Sequence, residues 1–313
     1  MLVTYERPDE LRGMLERLDA QTRLLDHLIV IDNGSLVTAQ AAVAGRIART
    51  DTRYVAAGSN LGPAGGIALG MNRILEFASD DDWIVVLDDN DPPSFDDAIE
   101  RLLQFAEQMT EQDPATGGVG MSGGRFDLRK GLVVRVGDAE LTGAVPVDHV
   151  AGGFLPCYRV GVVRKVGTPL PELFFGLDDL EYGLRLKRAG VALYADGKQW
   201  SRMRADKRAR GLISATTIET GPGSRSRSAR IEAPSWRRYY SLRNLIFILR
   251  EYDAWPTAVW ISLTRGILKP MFNILRAPRV AIAHLSLNWR ALRDGWGRRM
   301  GRTVLPESAP ESG

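Results

Sequence analysis

Trp83-Ile84-Val85-Val86-Leu87-Asp88-Asp89-Asn90-Asp91-Pro92-Pro93 is the stretch whose reading decides the fold. Five apolar residues, Trp83 to Leu87, run without a polar break and stop at three carboxylates and an amide. A short continuous apolar run suits a strand buried on both faces, as in a parallel sheet covered by helices. In such sheets ligands bind beyond the carboxyl ends of the strands. Acids gathered there can hold a divalent cation through hard oxygens, and the cation can bridge to a diphosphate. The competing reading is a turn followed by a helix, with Asp91 or Ser94 as the N-cap.

Upstream, strands and helices alternate. Met1 to Tyr5 reads as a first strand, short enough to suggest a clipped or misassigned start. Arg7-Pro8-Asp9-Glu10 opens a helix with Leu11, Met14, Leu15 and Leu18 at helical spacing. Leu28 to Ile31 is a second buried strand, stopped by Asp32-Asn33-Gly34-Ser35; Val37 to Ala48 is a helix and Thr52 to Ala56 a third strand. Asn60-Leu61-Gly62-Pro63-Ala64-Gly65-Gly66 leads into a helix through Leu75. The alternation predicts a doubly wound, nucleotide-binding α/β half. The glycines at 62, 65 and 66 allow backbone to approach a ligand or a neighbouring strand, without the GxGxxG pattern or a Walker lysine.

Downstream, Phe95 to Met109 reads as helix and residues 112–118 as a polar loop. Strand-like runs at Gly131–Val136 and Val145–Val150 lead to Ala151-Gly152-Gly153-Phe154. That glycine pair is a bulge or a place where substrate meets backbone. A second acidic cluster lies in FFGLDDLEYGLRLKRAG, Phe174 to Gly190. Asp178 with Glu181 has capping-box spacing, and Glu181 with Arg185 is an i,i+4 pair. Asp179 falls in the first helical turn beside a second carboxylate, where it can accept a proton from a hydroxyl.

The ordered set VTYERP, VIDNGS, NLGPAGG, VLDDNDPP, AGGF and FFGLDDLEYGLRLKRAG resembles the family-two inverting glycosyltransferases of GT-A fold. It is most similar to bacterial cell-envelope rhamnosyl- and galactofuranosyltransferases. The resemblance covers about residues 1–200, with an echo at Tyr239 to Phe247 (YYSLRNLIF). It implies a GT-A domain with a mostly parallel sheet, a UDP- or dTDP-linked sugar donor, and Mn²⁺ or Mg²⁺. It also implies a glycan or polyprenyl-linked acceptor and a single displacement at the anomeric carbon. By motif match Thr4, Asp32, Asn60, Gly65, Asp88, Gly152, Gly153 and Asp178 would line the donor pocket. Asp89, Asn90 and Asp91 would hold the metal, and Asp179 would be the catalytic base. Two positions depart from the pattern: Asn90 stands where the third acid often is, and Trp200 is followed by Ser201 rather than soon by a metal-binding His. An alternative reading is therefore a catalytically weak or inactive nucleotide-sugar-binding or scaffold protein.

Composition bounds the rest. The 313 residues suffice for one large α/β domain plus an appendage, and the lone Cys157 excludes an internal disulfide and fits a reducing compartment. Residues 236–313 carry a net +8, which leaves −5 on residues 1–235. The acidic body and the lack of a nucleic-acid motif argue against nucleic acid as partner. The predicted domains are a catalytic domain over 1–205, a mobile Arg/Ser/Gly-rich loop over 206–235 that begins to show from Lys198, and a helical region over 236–313. Five of the seven tryptophans lie in that last region among basic and aliphatic residues. This pattern fits helices lying on an anionic membrane surface, here the cytoplasmic face of a bacterial membrane. A helical cap on the core or an oligomer contact is the competing reading.

Overall fold

The computed structural model describes residues 1–34, 39–43, 50–211, 235–272, 274 and 277–304. Contacts group them into two compact units. Of the described residues, the first comprises Met1–Arg125, Val134–Pro171 and Asp179 to Gly211; the second comprises Phe126–Val133, Glu172–Asp178 and the C-terminal helices.

The first 112 residues hold β1 (Leu2–Thr4), α1 (Pro8–Asp19), β2 (His27–Asp32), α2 (Gln40–Val43), β3 (Asp51–Ala56), α3 (Gly62–Leu75), β4 (Trp83–Val85), β5 (Leu87–Asp88) and α4 (Ala98–Gln112). There follow β6 (Thr116–Gly120), β7 (Gly123–Asp127), β8 (Leu132–Val134), β9 (Ala144–Pro146), β10 (His149–Val150), β11 (Cys157–Arg159), α5 (Val160–Val166), α6 (Asp178–Arg188), β12 (Ala192–Asp196) and α7 (Gly197–Ala209). The expected α/β alternation is present. Strands β3, β2, β1 and β5 lie side by side in that order, all parallel. The apolar residues of β2 are buried, as are Leu2 and Leu87 of β1 and β5, while Tyr54 and Val55 of the edge strand β3 are half-buried; α1 turns Leu11, Met14, Leu15 and Leu18 into the same core.

The decisive stretch is not one strand. Trp83–Val85 pairs antiparallel with β11 in a second sheet of order β4-β11-β6-β12-β9, whereas Leu87–Asp88 pairs in parallel with β1. Val86 bridges them: its N–H donates to the Pro156 carbonyl (2.8 Å), and the Leu87 N–H donates to that of Met1 (2.9 Å). Buried backbone groups must all find partners, and this run finds them in two sheets. Three other expectations are corrected. The supposed loop over 112–118 ends in the buried strand β6, and Val145–Val150 divides between β9 and β10. Lys198 to Ala209 is helical rather than loop, because Asp196 caps the helix by accepting from the N–H groups of Lys198 and Gln199 and because Trp200 and Met203 are buried. The remainder of the predicted mobile loop, 212–234, and most of the predicted helix at Val37–Ala48 lie outside the described residues.

The second unit contains α8 (Trp236–Glu251), α9 (Trp255–Ile261), a π-helical stretch (Ser262–Leu268), α10 (Lys269–Met271) and α11 (Pro278–Trp296). Its core is aromatic and aliphatic, built on Phe174, Tyr239, Tyr240, Ile246, Leu249, Ile261 and Leu292. Among the described residues no helix is long and apolar enough to cross a membrane.

Candidate active site

Parallel register brings the predicted polar residues to one edge of the first sheet. Thr4 of β1 stands opposite Asp32 of β2, and Val3 opposite Asp88 of β5. Asp89, the residue after β5, is 3% exposed. Its Oδ2 accepts from the Thr4 hydroxyl (2.7 Å) and the Tyr5 N–H (3.3 Å), and its Oδ1 pairs with Arg7 Nη1 (3.4 Å). Asp32 is equally buried and accepts from the Tyr54 hydroxyl (2.6 Å) and the Ala39 N–H (3.0 Å). Asn33 then ties β2 to the start of α3, donating to the Gly62 carbonyl (2.9 Å) and accepting from the Leu61 N–H (3.0 Å). Asn60 accepts from the Gly62 N–H (2.9 Å), while Gly65 is buried, its nearest neighbour the Leu61 side chain.

A second group converges on the glycine pair. Gly153 has φ +75°, and a β-carbon there would run into the Asp91 carboxylate. The Gly152 N–H donates to Asp179 Oδ2 at 3.4 Å, and Asp179 Oδ1 accepts from the Leu180 N–H (2.8 Å). Two residues of backbone thus separate the carboxylate of the first acidic cluster from that of the second. The Glu181–Arg185 pair forms as its spacing suggested (3.0 Å), and Arg185 also donates to the Val166 and Thr168 carbonyls, which anchors α6. Lys207 of α7 acts on Asp91 electrostatically and packs its ammonium over the Phe154 ring (4.6 Å).

The acids at this edge are loaded with negative charge. Burial, and after it the hydrogen bond and charge of Asp89, push the Asp88 carboxyl up to about 6 although it reaches solvent. Burial also raises Asp91, with Lys207 pulling the other way. A carboxyl raised in this way is relieved by a nearby cation. Among the described residues no three His, Cys, Asp or Glu side chains already converge as a metal cluster. Asp89, expected as a ligand, has both oxygens engaged within the protein. Asp88, Asn90 and Asp91 supply further hard oxygens, the donor type that Mn²⁺ and Mg²⁺ take. A cavity of about 380 Å³ lined by Arg101, Phe105, Asp196, Gln199 and Arg202 includes none of the residues singled out in the sequence.

Sequence reading missed Asn33, Lys207 and the pair Arg243–Asn244. The last two are fully buried in the second unit. Arg243 donates to the carbonyls of Leu173 (2.9 Å) and Gly301 (2.7 Å); Asn244 donates to those of Leu173 (3.0 Å), Phe175 (3.1 Å) and Gly176 (2.8 Å). They hold a segment in which Phe174, Gly176 and Leu177 all have φ near +60 to +76°. Such conformations cost non-glycine residues about 1–2 kcal/mol each and persist only when neighbours fix them. That segment runs directly into Asp178 and Asp179. Two adjacent polar residues inside the apolar run of YYSLRNLIF were the available signal, since buried polar groups require partners.

Residues 1–130 match the model of Glycosyl transferase family 2. The galactofuranosyltransferase GlfT1 of Mycobacterium tuberculosis H37Rv is 36% identical over 200 residues, which take in 61% of this chain and 64% of the relative. Its counterpart from Mycolicibacterium smegmatis is 32% identical over 205 residues, or 61% and 65% of the two chains. The chain thus spans just under two thirds of the relatives it matches. Among solved structures, Staphylococcus aureus TarS 1–349 aligns over 95% of this chain and 90% of its own, with a TM-score of 0.45 and 13% identity. The same protein in complex with UDP gives 0.46 and 12%, over 96% and 90%.

Proposed function

We propose that the chain, whose residues 1–130 match the Glycosyl transferase family 2 model, transfers a sugar from a nucleoside-diphosphate donor to a hydroxyl of a glycan or polyprenyl-linked acceptor. The galactofuranosyltransferase relatives make a UDP-linked galactofuranosyl donor the first choice. The observation that carries the reading is the Asp91–Gly153–Gly152–Asp179 arrangement, which gathers both acidic clusters on a backbone that leaves room for a ligand.

In this reading the acceptor oxygen attacks the anomeric carbon, and its proton passes to the Asp179 carboxylate. The bond to the diphosphate breaks with its electron pair, so the sugar inverts in one displacement. A divalent cation, when held by Asp88, Asn90 and Asp91, would neutralise charge on the diphosphate. Lys207 contributes positive charge at the same place. Asp89 fixes the ends of β1 and β5, and Asp32 and Asn33 shape the pocket floor where the nucleoside would lie.

The test is calorimetry with UDP, dTDP and their sugars, with Mn²⁺ and with EDTA, paired with an assay for nucleotide release in the presence of acceptor. Binding of a nucleotide sugar with transfer supports the proposal. Binding without any release from several donors supports the scaffold alternative, and no nucleotide binding at all defeats both.

A further inference from the structure

Beside its buried core, the C-terminal unit also exposes large apolar side chains. Nine of the thirteen exposed large apolar side chains among the described residues fall between Trp255 and Trp289. Trp255, Trp260, Phe272 and Trp289 are 63%, 65%, 80% and 67% exposed. Single exposed apolar residues are ordinary, but so many within one short segment mark an interaction surface.

The helix that carries most of them is built to keep them together. Along residues 255–271 the buried positions are Thr257, Ala258, Ile261, Gly266 and Pro270, and the exposed apolar ones are Trp255, Val259, Trp260, Leu263, Leu268 and Met271. Apart from the adjacent pairs Thr257–Ala258 and Val259–Trp260, both series advance by three or four residues except across Ser262–Leu268, where both advance by five. That is the π-helical stretch, whose i→i+5 bonding holds residues five apart on nearly one side. Unbroken α-helix would turn Leu268 and Met271 away from Leu263. The distortion is supported from behind. Gly266 lets α11 come close, since a β-carbon there would sit 2.8 Å from Leu292, and the buried Asn288 donates to the Gly266 carbonyl at 2.8 Å.

Charge identifies the occupant. Between Asp253 and Asp294 the sequence has no acidic residue and six Lys or Arg: Arg265, Lys269, Arg276, Arg279, Arg290 and Arg293. A second copy of this face, brought up across a two-fold axis, would set like charges against like. An anionic lipid surface meets both features, taking the tryptophans at headgroup depth and the cations at its phosphates. We infer that the face formed by α9, the π-helical stretch, α10 and α11 docks the protein peripherally onto an anionic lipid surface. The inference stands independently of the glycosyl-transfer reading, because docking requires no donor.

The experiment is co-sedimentation of the full chain with vesicles of phosphatidylcholine alone or mixed with phosphatidylglycerol, at low salt and at about 1 M salt, where the Debye length is about 3 Å. The variants are Lys269→Gln/Arg279→Gln and Trp260→Ala/Phe272→Ala, all at exposed positions, with circular dichroism confirming the fold. Binding should require phosphatidylglycerol and weaken with salt. Lys269→Gln/Arg279→Gln should lower the partition coefficient roughly 30-fold, from about 1 kcal/mol per surface cation. Trp260→Ala/Phe272→Ala should lower it at least as much. Absent binding to either vesicle overturns the inference. So does binding that both variants retain, which would place the contact elsewhere in the chain. Self-association in solution that Trp260→Ala/Phe272→Ala abolishes, with no vesicle binding, overturns it in favour of a second copy.

Discussion

At the strand ends of the first unit, Thr4, Asp32, Asn33 and Asp89 are each at most 3% exposed and bond across strands and loops; in the second unit Trp255, Trp260, Phe272 and Trp289 are each at least 63% exposed. One unit turns polar groups inward to fix the strand-end edge at which we place the donor. The other turns apolar groups outward, and its buried polar residues, Arg243, Asn244 and Asn288, serve backbone carbonyls instead. The contrast teaches that buried polarity has two uses here: shaping a site, and stabilising distorted backbone.

The sharpest break in that comparison is Asn244→Ala. It strips donors from the buried Leu173 carbonyl and the part-buried carbonyls of Phe175 and Gly176 and is expected to cost about 2–3 kcal/mol in chemical denaturation. An effect below about 0.5 kcal/mol would mean that the positive-φ segment is stable on its own. Gly153→Ala comes next, at about 1–2 kcal/mol from the left-handed backbone, with further loss of transfer because the methyl group displaces Asp91. Gly152→Ala is the comparison, since nothing lies within 4 Å of its β-carbon. Equal effects of the two substitutions on transfer would remove Asp91 from the site.

The smallest effect concerns Asp88. Its folded pKa of about 6 lies above the ordinary 3.8, so the folded protein holds a proton that the unfolded chain releases between those values. Stability therefore falls as pH rises through that window and stays reduced above it. Asp88→Asn should raise the melting temperature by about 1–3 °C above pH 6 and leave it unchanged near pH 4, a modest figure because solvent reaches the side chain. Added Mn²⁺ should stabilise the wild type more at about pH 7.5 than at about pH 5, and Asp91→Asn should lose that gain. A Mn²⁺ response independent of pH would show that these acids do not hold the ion.

The alternation of β1, α1, β2, β3 and α3 was legible because their apolar residues repeat at strand or helix spacing. Strand β6 was not: Thr116-Gly117-Gly118-Val119-Gly120 reads as loop, yet Gly117 and Gly118 are small because Val162, Val191, Leu193 and Tyr158 crowd them. Helix α7 was hidden by its three arginines, two of which, Arg204 and Arg208, stay half-covered by pairing with Asp138. The acidic residues of the site were visible as types, but not their division of labour. Asp89 and Asp91 are two positions apart, and only the fold shows that one faces Thr4 and Arg7 while the other meets Gly153 and Lys207. The outward apolar face was visible as composition alone, since its alignment depends on a π-helical stretch that sequence spacing does not announce.

The most direct test of the catalytic assignment compares Asp179→Asn with Asp178→Asn, measuring donor affinity by calorimetry and transfer by product formation. Asp179→Asn keeps shape and hydrogen-bonding reach but cannot accept a proton. It should bind donor as the wild type does and transfer about 10²–10⁴-fold more slowly, whereas Asp178→Asn, at the first position of α6, should be mild. Full transfer by Asp179→Asn, with or without loss in Asp178→Asn, would contradict the assignment of the base.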